Sequence, residues 1–110
     1  MNLSKPGREL KKRIKCETGF DGRFIGYRLH KRMGPIPVTV YSFKELYSLL
    51  NDPYPRIDFI ALKQWILNVI KDTELAEIIG IIIEREESDH EKTSQIRDIF
   101  HARLAQCGIK

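Results

Sequence analysis

The sequence predicts an α+β fold: a small N-terminal antiparallel β-meander of two or three strands packed against about four C-terminal α-helices. Two changes of period carry this. Between Arg23 and Val40 apolar residues alternate with polar ones, as in half-buried strands, and from Ser42 onward they recur at the spacing of helices. Residues able to cap a helix stand before each of the later stretches. The chain has 110 residues, 42% of them hydrophobic, which suffices for one buried core and excludes wholesale disorder.

Residues 1–8 contain Lys5-Pro6-Gly7 and no apolar period, so they are expected to form a flexible basic arm. Residues 9–110 then form a single domain, with a basic β-rich part over 9–41 and a helical part over 42–110. Leu10 to Cys16 fits a strand or a short helix, because Leu10 and Ile14 satisfy either spacing; the strand reading is adopted, with Gly19, Asp21 and Gly22 turning the chain into the next strand. There Ile25, Tyr27 and Leu29 are read as the inward set. Lys31-Arg32-Met33-Gly34-Pro35 connects this strand to a partner whose Ile36, Val38 and Val40 also point inward, and Pro37 confines that partner to an edge.

Ser42 with Glu45 makes a capping box for a helix that turns Phe43, Leu46, Tyr47 and Leu50 inward. Asn51-Asp52-Pro53-Tyr54-Pro55 ends it. Asp58 caps a second, largely apolar helix running to about Lys71. Asp72-Thr73 recaps the chain into a third, expected to reach about Glu87 with Leu75, Ile78, Ile79 and Ile82 as its inner stripe; a buried strand over 78–83 is the alternative, since β-branched residues and Gly80 weaken a helix. Ser88 and Glu91 cap the last helix, which carries Ile96, Ile99, Phe100, Arg103, Leu104 and Cys107 before Gly108 stops it.

No phosphate-loop, dinucleotide, zinc-protease, EF-hand or nucleophile-elbow pattern occurs. Asp89-His90-Glu91 is explained as acids at the positive end of a helix. His101 reads as a boundary residue. Cys16 and Cys107, far apart and without His or Cys at ligand spacing, imply neither a disulfide framework nor a metal site. No cofactor, metal or small-molecule ligand is inferred. The start lacks the apolar segment of a secretory signal, and no run approaches the ~20 apolar residues of a membrane span, so a cytoplasmic location without membrane contact is expected.

Charge is the most informative feature. Residues 1–35 hold ten Lys/Arg against three Asp/Glu, net +7, and the remainder holds nine against twelve, net −3. With three strands, one sheet face would gather Lys11, Arg13, Lys15, Phe24, Arg28, His30 and Tyr41, cations beside aromatics, as needed to hold phosphates and stack bases. The third helix, with Glu74, Glu77, Glu84, Glu86 and Glu87, would repel DNA and so excludes a helix-turn-helix. The expected function is a non-enzymatic binding or regulatory module whose basic sheet face contacts an anionic partner, nucleic acid foremost. The alternative is a dimeric protein-interaction adaptor with no nucleic-acid role, using Phe59, Leu62, Trp65, Ile66, Ile79 and Ile82 of the apolar helices as a homodimer interface.

Overall fold

The computed structural model describes residues 3–52 and 55–108. Its order is α1 (Arg8–Lys15), a single 3-10 turn (Phe20–Gly22), β1 (Phe24–His30), β2 (Gly34–Val40), α2 (Phe43–Leu50), β3 (Pro55–Arg56), α3 (Phe59–Trp65) continued by a π-helical turn (Ile66–Ile70), α4 (Thr73–Ile83) and α5 (Asp89–Gln106). The architecture is α+β, a three-stranded antiparallel sheet of order β2-β1-β3 backed by helices.

Residues 10–16 are helical up to Lys15, which corrects the strand reading. Four-residue spacing buries Ile14 fully and Leu10 partly on one side while Arg8, Lys12 and Lys15 take the other, an arrangement alternation along a strand would not give. The third strand is instead Pro55–Arg56, paired with Arg28 and Tyr27. The expected helix terminators Pro53 and Tyr54 lie outside the described residues; α2 ends at Leu50, before them.

The second correction concerns the face of β1. Its inward residues are Phe24 and Gly26, both buried, whereas Ile25, Tyr27 and Leu29 are 46%, 43% and 38% exposed. The hairpin dictates this. His30 opposes Gly34 and Phe24 opposes Val40, so even-numbered residues face even-numbered ones, and directly opposed residues share a sheet face. With Val40 buried and Val38 packed on the core, the even set of β1 must point inward too. Gly34, at φ +72°, supplies the left-handed residue that a three-residue hairpin loop needs. Gly26 leaves room for α2: a Cβ there would stand 2.6 Å from Leu49 Cδ2.

The helices follow their caps. Ser42 Oγ accepts from Glu45 N–H, Asp58 Oδ1 from Ile60 and Ala61 N–H, Asp72 Oδ1 from Leu75 N–H, and Ser88 Oγ from Glu91 N–H. Residues 78–83 are helical, and α4 stops at Ile83 rather than Glu87. The core joins Phe24 and Val40 of the sheet to all five helices, with Phe43 stacked on Phe100 at 4.4 Å between ring centres. Leu62, Trp65, Ile66, Ile79 and Ile82 are buried within it and Phe59 packs on it. Those side chains are spent inside one chain, whereas Ile60, Leu67 and Ile81 of the same stretch remain 64%, 41% and 52% exposed.

Arg103 of α5 is 1% exposed. Its Nη2 donates to Asp72 Oδ1 at 3.1 Å and Glu74 Oε1 at 3.3 Å, and its Nη1 to Ser4 O at 2.7 Å and Gln106 Oε1 at 2.9 Å. Its Nε lies 2.9 Å from Asp72 Oδ2, an ion contact without hydrogen-bond alignment. Ser4 N–H donates to Glu74, Gln106 Nε2 donates to Leu3 O, and Pro6 is buried. Residues 3–6 of the expected arm are thus tied to α4 and α5.

Removing one member of a buried ion pair strands the other charge, at a cost of about 3–5 kcal/mol. Arg103→Met is expected to lose stability of that order in urea unfolding, and a change below about 1 kcal/mol would contradict the buried pairing. Hydrogen bonds from Ser4, then the Arg103 charge, hold the Glu74 carboxyl below the usual glutamate range despite partial desolvation. A lowered folded-state pKa stabilises above the unfolded value and is lost as pH falls through the folded one. Melting temperature should therefore fall from about pH 5 downward. In Glu74→Gln the acid slope should be shallower, as melting curves across that window would show.

Candidate anion-binding surface

Four cations, Arg8, Lys11, Lys12 and Lys15, line a shallow groove along α1 with Glu9 and Cys16. Positions 8, 12 and 15 fall on one helix face by their i, i+4, i+7 spacing, with Lys11 beside them. Among the described residues none of the four has a carboxylate within 4 Å. Arg13 points elsewhere: its Nε donates to Ile70 O at 2.9 Å, and its guanidinium lies 3.8 Å from Glu9, so it anchors the helix. Ile14 packs in the core beneath.

The residues expected to share one sheet face are dispersed. Lys11, Arg13 and Lys15 stand on α1. Phe24 is 5% exposed with its ring centre 6.0 Å from that of Trp65, so it is a core residue and not a stacking surface. Arg28 is on the inward parity of β1, ion-paired with Asp52 beyond the end of α2. His30 caps the hairpin, its Nδ1 accepting from Arg32 N–H at 3.2 Å and Met33 N–H at 3.3 Å. Tyr41 is half-buried, and its carbonyl accepts from Thr18 N–H. The strand between Phe24 and His30 sets the hairpin cations Lys31 and Arg32 about 20 Å from the sheet end where Thr18 meets Tyr41.

An exposed aromatic does occur, at a position outside the expected set. Phe20 is 67% exposed, and the Arg23 guanidinium lies 3.9 Å over its ring centre. The sequence carries a signal for it: Gly19-Phe20-Asp21-Gly22 places a large aromatic in a turn between glycines, where neither strand nor helix offers a face to bury it. Further exposed apolar side chains are Ile25, Tyr27 and Leu29 on the outer sheet face, opposite Thr39, Pro37 and Pro35, with Met33 at the hairpin and Ile60, Leu67 and Ile81 on the helices.

The three histidines lie apart from one another. His101 Nδ1 bonds the Tyr47 hydroxyl at 3.1 Å on the α2–α5 surface. His90 sits eleven residues earlier on α5, about 16 Å away along the axis, and His30 is at the hairpin.

The thiols differ in environment. Cys16 is exposed at the end of the cationic groove, and Cys107 is buried. Burial pushes the Cys107 thiol up, opposed by the nearby charges of Arg103, Lys11 and Lys15. A thiol reagent should label Cys16 rapidly and Cys107 at least about tenfold more slowly until denaturant is added. Equal rates in the native protein would contradict this, and Cys16→Ser should abolish the fast phase. Comparison with protein-family models, with curated proteins and with solved structures gives no match for this chain, so the surface has to be read from its own chemistry.

Proposed function

We propose that this protein is a non-enzymatic cytoplasmic binding module that contacts nucleic acid through the cationic face of α1. The observation that carries the reading is the set Arg8, Lys11, Lys12 and Lys15, four cations beside a groove with no carboxylate partner among the described residues. Such charges are valuable to a polyanion: each phosphate contact releases condensed counterions and steepens the salt dependence of binding. Folding does not cancel the N-terminal excess. Of the ten Lys/Arg in residues 1–35, only Arg28 meets a carboxylate from beyond residue 35 among the described residues.

The reading moves the contact surface from the sheet, where the sequence alone put it, to the first helix. Arg28 and His30 drop out of it, one neutralised by Asp52 and the other engaged in the hairpin. Arg13 serves to hold α1 in place. A homodimer through α3 and α4 would have to use the exposed Ile60, Leu67 and Ile81, because the six side chains that suggested it lie in or against the core.

Titration of a fluorescein-labelled duplex at several salt concentrations tests the proposal. The wild-type protein should bind at low salt, with log affinity falling linearly against log salt. The exposed substitutions Arg8→Ala, Lys12→Ala and Lys15→Ala, combined, should flatten that slope by up to about 2.7, at roughly 0.9 for each phosphate that is no longer neutralised. Salt-independent binding, or no binding at low salt to either a duplex or a single strand, sinks the proposal.

A further inference from the structure

Resting on that reading of α1, we infer that the Phe20–Arg23 stack is a base-stacking platform and that the nucleic acid this protein prefers is single-stranded. The platform is built before any ligand arrives. Arg23 Nη1 donates to Phe20 O at 2.8 Å, which holds the guanidinium over one face of the ring. The turn is fixed on both sides by Gly22 N–H to Gly19 O, Arg23 N–H to Phe20 O, and Thr18 N–H to Tyr41 O. Trp65 Nε1–H closes it from below, donating to Gly22 O at 2.7 Å. With Arg23 over one face, the ring is still 67% exposed, so a face stays open to a ligand. A base laid on it would cover that surface, and every base has a face that can stack.

The platform follows the cationic helix closely along the chain. Arg13 binds Ile70 O, while Gly22 packs so near Val69 that a Cβ on it would lie 3.4 Å from Val69 Cγ1. The turn and α1, the latter through Arg13 on a side other than the groove, therefore rest on consecutive residues of one π-helical turn. The five residues from Lys15 to Phe20 can span at most about 17 Å, a distance a few nucleotides bridge. Glu17 and Asp21 flank Phe20 and exceed Arg23 in charge, so the turn is not itself a phosphate site. Its contribution is the aromatic face, with phosphates held on α1. A duplex keeps its bases stacked inside and offers nothing to that face, whereas an unpaired strand does.

The test compares a labelled oligothymidylate with a duplex of equal length, on wild type, Phe20→Ala and Phe20→Tyr. Phe20 is exposed, so neither substitution opens the core. Phe20→Ala should weaken oligothymidylate binding by about 5- to 100-fold while leaving duplex affinity and both salt slopes unchanged, and Phe20→Tyr should restore it. Trp65, the single tryptophan, should change its emission when the oligothymidylate binds wild type. Equal weakening of both ligands, or of neither, overturns the inference and leaves the α1 reading standing. Flattening of the salt slope by the α1 substitutions tests that reading separately, and absence of binding to either ligand sinks both.

Discussion

The fold depends on one buried guanidinium. Arg103 is set among apolar residues of α5, and taking its charge out of water costs several kcal/mol unless its five N–H groups find partners. The partners come from three places in the chain: Asp72 and Glu74 at the start of α4, Gln106 one turn further along α5, and the Ser4 carbonyl of the N-terminal segment. Asp72 does two tasks, capping α4 through Leu75 N–H and neutralising Arg103 with the same carboxylate. The start of α4, the end of α5 and residues 3–6 are thereby brought to one point. A hydrophobic cluster alone would have joined these elements without specifying how the N-terminal segment lies across them.

Local signals make the helices legible. Ser42, Asp58, Asp72 and Ser88 each announce a helix through a side chain that satisfies an orphan backbone N–H, a mechanism confined to three or four residues and so readable from sequence. Where sequence and structure differ, the deciding partner is distant. Leu10 to Lys15 is helical because Ile14 finds the core and Arg13 finds Ile70 O, partners far along the chain. The helical stretch from Asp58 ends near Lys71 as its pattern implies, but Lys71 holds φ +63° there without being glycine, a conformation no composition rule announces.

The face of β1 is a different kind of discrepancy, and the sequence holds enough to avoid it. Ile25, Tyr27 and Leu29 outweigh Phe24, Gly26 and Arg28 in apolar character, so counting favours the wrong parity. Yet an odd-length loop of three or five residues makes even positions oppose even ones, and Ile36, Val38 and Val40 can be inward only with Phe24, Gly26 and Arg28. Two assignments are each reasonable alone and incompatible together. The expected site inherits the error: Phe24 is placed on it as a stacking surface, while the ring that does face water is Phe20, four residues earlier. The cationic character of the N-terminal third survives because net charge does not depend on which way a strand faces.

That survival has a structural cause. The acidic residues of the later helices had the chance to fold back onto the basic third, and the topology mostly denies it to them. Asp72 and Glu74 are committed to Arg103. Glu87 is bound to Gln95, which also receives Arg85, so part of the acidic turn after α4 is occupied within its own neighbourhood. Among the described residues only Asp52 reaches the hairpin, and it takes Arg28 on the inward parity of the sheet. Asp58, Asp72, Glu74 and Glu87 of the helical half thus serve as caps and internal partners, and Arg8, Lys12 and Lys15 of α1 are left facing solvent. A charge separation of this kind gives the molecule a dipole with its positive end at α1. At the sheet, β2 is an edge strand whose Pro35 and Pro37 give an incoming strand no N–H, which blunts edge-to-edge pairing beside the apolar outer face. Charge and edge thus divide the surface: the sheet edge is closed to strand addition, and cations unpaired among the described residues are on α1.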